Sequence, residues 1–361
     1  MFMTKEQKDE MLKTRGIVVY DRVKPINTKY NTVSLFSGIG GFDLGFIYAG
    51  FNVVWANDFD KYACETYKHN VGEHIHCGDI RIEKENIEPH DILIGGFPCQ
   101  PFSTLGKLQG FDDEAGRGTL FFQITDIMKK HNTKVVVLEN VKNIMNHNNG
   151  ETFKRILKEL DDLGYKPYFH IFNSQNYGVP QRRNRCYIVA FNKKYFNNLP
   201  EKNEDFPFPP KEFDDKDERL NTLKMLDKDV PASYFLTKTI EKTIMGKGTK
   251  NYIVNPTIDL PISKTLTATM HKMHRASQDN YVTDEKNFSK CSDFEKAKRV
   301  SIRKLTPNEC RQLQGFPPDW EQVVSDCQAY KQFGNAVTVN VSYALAEVLF
   351  DFINKNKKDN W

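Results

Sequence analysis

Between residues 31 and 164, short β-branched apolar runs alternate with stretches whose apolar positions recur every three or four residues. That alternation predicts a parallel sheet wrapped by helices. The runs NTVSLF (31–36), FNVVWAN (51–57), HIHCGD (74–79), DILIGG (91–96) and KVVVLEN (134–140) read as strands. The last of these is apolar on both alternating faces, as a strand covered on both sides must be. GFDLGFIYAG (41–50), KYACETYKHN (61–70), LFFQITDIMKKH (120–131) and ETFKRILKELDDLG (151–164) read as helices, the last stopping at a glycine. From about residue 192 the rhythm breaks. NNLPEKNEDFPFPPKEFDDKDE (197–218) has the composition of a linker, and 220–300 is polar, threonine-rich and weakly periodic. Regularity returns at RKLTPNECRQLQGF (303–316), a helix introduced by a Thr-Pro cap, and in the apolar helix VTVNVSYALAEVLFDFI (337–353). The expected division is an arm of residues 1–30, a large α/β domain of 31–192 completed by 333–361, and a smaller irregular domain with its hinge over 193–332.

Composition narrows the class. With 39% hydrophobic and 27% charged residues, the 361-residue chain reads as an ordinary globular protein. No run of 18 apolar residues occurs and the first residues lack the apolar centre of a signal peptide, so a cytoplasmic protein with no membrane partner is expected. The net charge of +4 permits a polyanionic partner without demanding one. Its distribution says more: 201–219 is acidic and proline-rich, whereas 236–275 holds seven Lys or Arg against two acids. The seven cysteines include no CxxC pair, which argues against a disulfide framework or a zinc ribbon. HIHC (74–77) and HKMH (271–274) each lack a second ligand pair at a recognisable spacing, so no metal is expected.

Several candidate groups fall at strand ends, where open α/β sheets bind ligands. FSGIGGFDLG (36–45) places glycines between the first strand and its helix, and Asp43 stands where a dinucleotide-binding loop has its third glycine. Asp58, twenty residues beyond Gly38 at the end of the second strand, is placed to accept from ribose hydroxyls. The pair indicates a nucleoside ligand and leaves NAD and S-adenosylmethionine as alternatives. Asp79 could accept from the exocyclic amine of adenine, or simply cap the next segment. Cys99, in FPCQPFS after the fourth strand, is placed as a nucleophile if positive charge or free N–H groups lower its pKa. The segment 105–121, with four glycines, reads as a loop able to close over a substrate. Glu139 ends the buried strand; a carboxylate there is costly unless paired or bound, and a protonated one could grip an edge such as N3 and N4 of cytosine. Arg182, Arg183 and Arg185 precede another strand near the same edge.

These motifs, taken in order, closely resemble the bacterial-type DNA (cytosine-5)-methyltransferases. FSGIGGFDLG, GFPCQPFS, RGTLFF, VVLENV, NYGVPQRRNR, RKLTPNECRQLQGFP and YKQFGNAVTVNV carry the resemblance, over 31–192 and 302–343. It implies a Rossmann-like S-adenosylmethionine-dependent methyltransferase domain with a smaller target-recognition domain. It implies that Phe36, Gly38, Ile39, Gly40, Gly41, Asp58, Phe59, Asp79, Ile80, Pro98, Leu120, Asn335 and Val337 bind S-adenosylmethionine, with S-adenosylhomocysteine as product. Many relatives have Glu where this chain has Asp58. The implied catalytic set is Cys99, Glu139, Arg183 and Arg185: Cys99 adds to C6 of a flipped-out cytosine, Glu139 holds N3 and N4, and the arginines anchor the base carbonyl, Glu139 and the flanking phosphate. Gln100, Ser103 and Arg117 in the loop, and Lys264, Thr265, Thr267, Lys272 and Arg275 in the recognition region, are the expected contacts to double-stranded DNA.

The function so implied is sequence-specific DNA cytosine-C5 methylation within a restriction–modification system, by a monomer working at the nucleoid alongside an endonuclease that shares its site. Two alternatives stay open on the residues. One is a tRNA cytosine-5 methyltransferase; the other is an idle DNA-binding protein on the same scaffold.

Overall fold

In a computed structural model, which describes residues 3–22, 28–97, 120–249, 252–359 and 361, the apolar runs of the first half pair into one seven-stranded sheet. Its strands are β1 (Lys29–Leu35), β2 (Phe51–Asp58), β3 (Ile75–Cys77), β4 (Ile92–Gly96), β5 (Val135–Val141), β6 (Tyr165–Asn173) and β7 (Asn184–Asn192). They lie in the order β3-β2-β1-β4-β5-β7-β6. All neighbours run parallel except β7, which is antiparallel to both β5 and β6. Strand order therefore reverses between β1 and β4, and the carboxyl ends of these two strands are where an open sheet of this kind binds its ligand. Val135, Val136, Val137 and Leu138 of β5 are fully buried, as a strand with helices on both faces requires.

Among the described residues, five α-helices belong to the sheet's connections: α1 (Gly41–Tyr48), α2 (Lys61–Asn70), α3 (Ile80–Glu83), α4 (Leu120–His131) and α5 (Glu151–Asp162). Each of the longer two presents an apolar stripe, Phe121, Ile124, Ile127 and Met128 on α4 and Phe153, Ile156 and Leu160 on α5. The chain returns in α6 (Val339–Asn356), whose Leu345, Leu349 and Ile353 are buried. Part of the helical stretch Asp326–Asn356 is apolar enough to cross a membrane by length and composition, but 72% of that window is buried inside the protein. Gly45 lets α1 approach α6 closely: a Cβ there would stand 2.5 Å from the Ser342 Cβ, and Ser342 Oγ donates to the Phe42 carbonyl at 2.7 Å.

The chain divides into a sheet unit, 23–173 with 184–210 and 341–361, and a second unit of 1–22, 174–183 and 211–340. These boundaries differ from those read off the sequence. Residues 3–22 are no separate arm: they contain the helix Lys5–Arg15 and then Val18, Val19 and Tyr20, all buried in the second unit. Nor is 197–218 a featureless linker. Phe206 stacks on Tyr168 at 4.6 Å and meets Phe352, so aromatic docking holds this acidic stretch to the sheet unit, while Phe213 is buried in the other. In the second unit the strands Phe235–Thr237, Arg299–Lys304 and Tyr281–Thr283 form a small antiparallel sheet over Leu236, Ile244, Ala276 and Tyr281. Beside it the fully buried Arg303 is held by Asp284 at 2.7 Å and Glu309 at 2.7 Å. Glu309 also closes the capping box of the helix Pro307–Leu313 with Thr306, the helix expected from its Thr-Pro start.

His90 packs beneath β4 and α4, with its ring nitrogens against the Glu88 carbonyl and the Thr133 hydroxyl, and its pKa is pushed from 6.5 down to about 4, chiefly by burial. A depressed histidine stabilises the fold above its ordinary pKa and loses that contribution as pH falls from about 6.5 to about 4. The urea midpoint should therefore drop between pH 7 and pH 4.5 by less in His90→Gln than in the wild type, measured by circular dichroism.

Candidate active site at the carboxyl edge of the sheet

The loop after β1 is shaped by two glycines with different tasks. Gly38 (φ +56°) has open space where a Cβ would stand, so a ligand can approach its backbone; Gly40 (φ +85°) lies against Val71 and Tyr67, which a Cβ would meet at 2.8 and 3.0 Å. The loop is fastened to the next strand: Ser37 N–H donates to the Asn57 carbonyl at 2.9 Å, and Gly40 N–H to the Ser37 carbonyl at 2.8 Å. Asp58 completes the brace, accepting from Gly38 N–H at 2.8 Å on one oxygen and from Asp60 N–H at 2.8 Å on the other. Burial raises its pKa. The Phe59 N–H is a third main-chain donor to this carboxylate, so the acid expected to meet a ribose first serves to hold the loop. Phe59, the next residue, is 80% exposed, and Phe36 is half-buried at φ +55°.

Asp79 is engaged with its own helix. It is the N-cap of α3, accepting from Arg81 N–H at 2.9 Å, and its carboxylate is forked by the Arg81 guanidinium, which lowers its pKa. Ile80 is a core side chain packed with Leu93 and Ile124. Ile39 and Gly41 are buried, and Leu120 is half-buried at the start of α4. Asn335, exposed, and Val337, half-buried, belong to the second unit. Pro98, Cys99, Gln100, Ser103 and Arg117 lie outside the described residues.

At the end of β5, Glu139 is 9% exposed and pairs with Gly96 of β4 and Tyr187 of β7 in the sheet register. Arg185, two residues before Tyr187 and so on the same face of β7, brings its Nε to 3.1 Å from Glu139 Oε1. A carboxylate in this nearly closed position has the partner that its charge requires. Asn140, beside it, donates to the Phe97 carbonyl at 2.8 Å and so pins the end of β4 where the chain enters the Pro98–Cys99 segment. Sequence reasoning passed over Asn140 as a contact; the only signal was an amide at the end of an apolar strand. Cys186, by contrast, is a buried thiol whose pKa burial pushes up to about 12, with a smaller contribution from Glu139, which makes it a poor nucleophile.

Arg183 has main-chain partners of its own. It lies in the second unit, 3% exposed, and donates to the carbonyls of Leu266 at 3.0 Å, Gly334 at 3.2 Å and Ala336 at 2.8 Å. Its Nη atoms brace main chain, the usual state of a buried guanidinium. Lys264 is likewise internal, its Nζ directed at the carbonyls of Thr257 at 3.0 Å, Ala276 at 2.6 Å and Asp279 at 3.3 Å, and burial lowers its pKa. Thr265 Oγ1 donates to the Arg182 carbonyl at 2.6 Å. Both residues secure a strap rather than offer free donors. Thr267 and Lys272 are exposed and Arg275 half-buried. The organiser of that strap is the fully buried Gln181, which accepts from Leu266 N–H at 2.9 Å and donates to the Leu313 carbonyl at 2.8 Å.

A family model described as C-5 cytosine-specific DNA methylase matches residues 30–351. The Type II methyltransferase M1.ScrFI of Lactococcus lactis subsp. cremoris is 36% identical over 96% of this chain and 86% of its own. M.NgoBI of Neisseria gonorrhoeae is 38% identical over 92% of this chain and 97% of its own. Among solved structures, the S. pombe Dnmt2 methyltransferase superposes with a TM-score of 0.68 at 19% identity, over 90% of this chain and 99% of that one, a likeness of fold.

If Asn140 fixes the end of β4, Asn140→Ala leaves a buried carbonyl unpaired and should lower stability by about 1–3 kcal/mol. Urea unfolding measures the loss, and faster amide exchange at Gly96 and Phe97 locates it.

Proposed function

The chain belongs to the C-5 cytosine-specific DNA methylase family, whose members use S-adenosylmethionine, and from that premise we propose that it methylates C5 of a flipped-out cytosine within a specific duplex sequence. The observation that carries the proposal is the Glu139–Arg185 pair, set in register with the end of β4. β4 leads directly into the segment bearing Cys99.

The cofactor loop fits its ligand. The open face of Gly38 admits a ligand to the backbone, the Asp58 carboxylate has acceptor capacity beyond its three main-chain donors, and the exposed Phe59 ring offers a flat apolar surface to a base. When bound, S-adenosylmethionine supplies an electrophilic methyl group. C5 of cytosine is too weak a nucleophile to take it unaided. The Cys99 thiolate therefore adds to C6, converting C5 into an enamine carbon, while Glu139 protonates N3 and accepts from the N4 amino group. Arg185 holds the Glu139 carboxylate in place and reaches the base carbonyl. Once C5 carries the methyl group and S-adenosylhomocysteine has left, water or a base removes the C5 proton, Cys99 departs with the C–S electron pair, and N3 returns its proton to Glu139, restoring the ring.

The target must leave the stack for any of this to occur. Gln100, Ser103 and Arg117 are assigned to the space and phosphates around the extruded base. Thr267, Lys272 and Arg275 are assigned to duplex contacts, with Arg183, Lys264 and Thr265 supporting them from within the recognition unit. The protein acts as a monomer in the cytoplasm at the nucleoid, paired in function with an endonuclease of the same specificity. The level of identity to Type II methyltransferases supports DNA over tRNA as substrate.

Cys99→Ser should reduce tritiated methyl transfer to duplex DNA below detection while S-adenosylhomocysteine binding persists. Glu139→Gln should lower turnover by roughly 10²–10⁴-fold, the scale of a lost general acid. Turnover retained in Cys99→Ser, or transfer to tRNA in preference to DNA, would refute the proposal.

A further inference from the structure

Beneath the cofactor loop lies a buried acid that the reaction does not use. Asp43, fully buried in the first turn of α1, accepts from Ser34 Oγ of β1 at 2.9 Å and from Tyr67 Oη of α2 at 2.7 Å. The contacts continue both ways. Ser37 Oγ, within the loop, shares its one proton between Ser34 Oγ at 2.9 Å and the Ser34 carbonyl at 3.0 Å and accepts from Asn57 N–H at 3.3 Å. On the other side Tyr67 Oη lies 2.9 Å from Nε2 of His74, which is half-buried. The Tyr67 ring is also one of the two side chains that confine Gly40. Asp43 thus touches the loop through a serine pair and reaches an imidazole near the surface through one hydroxyl.

We propose that Asp43 is a positioning residue for the cofactor loop, holding it through Ser34 and Ser37, and that His74 sets the charge of Asp43 through Tyr67. Tyr67 has one hydroxyl proton, so the same frame supports two proton patterns. With Asp43 ionised, Tyr67 donates to it and accepts from Nε2–H of His74. With Asp43 protonated, the carboxyl donates to Tyr67, which donates to an unprotonated His74 Nε2. The two patterns differ by one proton on Asp43 and by the tautomer of His74.

The groups facing Asp43 are Ser34 from β1, Tyr67 from α2 and, as a second negative charge, Asp58 from the end of β2; His76 stands beside His74. Burial dominates, raising the Asp43 pKa to about 6 against the lowering by Tyr67 and Ser34, so its charge changes close to neutrality. The ionised carboxylate receives charge-assisted hydrogen bonds from Ser34 and Tyr67 and holds the loop more firmly. Cofactor affinity should accordingly rise as pH rises through about 6.

This inference rests on reading the loop as the cofactor site. Its test is S-adenosylhomocysteine binding by calorimetry from pH 5 to 8, with the His74 ring nitrogens followed by NMR. The wild type should bind about threefold to tenfold more tightly at pH 7.5 than at pH 5, the difference between charge-assisted and neutral hydrogen bonds. Asp43→Asn should flatten the profile and raise KM for S-adenosylmethionine with kcat changed less than about twofold, a split that general destabilisation would not produce. Should Asp43→Asn fail to fold, His74→Gln, at a half-exposed site, should shift the midpoint of the profile. A wild type that binds with no pH dependence, an Asp43→Asn profile like the wild type's, or an unmoved midpoint in His74→Gln overturns the inference alone. A wild type that does not bind S-adenosylhomocysteine at any pH overturns the cofactor reading with it.

Discussion

A carboxylate at the end of a strand buried on both faces must have a partner, and this requirement organises the candidate active site. Glu139 closes β5, where water is scarce, and Arg185 meets it from the adjacent antiparallel strand. The antiparallel insertion of β7 between β5 and β6 is what allows that meeting, because it sends the start of β7 to the same edge as the end of β5. A wholly parallel sheet would place the end of the neighbouring strand there, with its arginine-bearing start at the far edge.

The same edge holds two further acids, and each is stabilised differently. Asp58 accepts main-chain N–H groups from Gly38, Phe59 and Asp60, and Asp79 caps α3 and is forked by Arg81. Their pKa values move in opposite directions, Asp58 upward through burial and Asp79 downward through its arginine. Asp58 shapes the loop after β1, while Asp79 at the sheet's margin is engaged with its own helix.

Much of the sheet unit was legible because its chemistry is local. β1, β2, β4 and β5 announce themselves as apolar runs, and the helices 120–131 and 151–162 by their periodicity, so the strand-end positions of Asp58 and Glu139 followed directly. The edge strand β6 was harder to see. Its Lys166, Pro167 and His170 dilute the pattern, and a proline is tolerated there because an edge strand has one unpaired side. The main-chain partners of Arg183 and Lys264 were not legible in the sequence: Arg183 is directed at carbonyls far along the chain and Lys264 at carbonyls of its own neighbourhood, and both pairings are set by tertiary folding. Likewise the acidic, proline-rich composition of 197–218 concealed Phe206 and Phe213, whose docking is visible only once the units are formed. Asp43 was noticed only as a departure from a glycine pattern, and its burial and partners are tertiary facts.

The central claim is that this carboxyl edge aims Cys99 at C6 of an extruded cytosine. Its most direct test is to incubate the wild type with S-adenosylmethionine and duplex DNA carrying 5-fluorocytosine at the target position, where the C5 fluorine blocks the elimination that frees the enzyme. The account predicts a protein–DNA adduct that survives denaturing electrophoresis and whose peptide map places the link on Cys99. Methylated DNA with no adduct, or an adduct on any other residue, would contradict it.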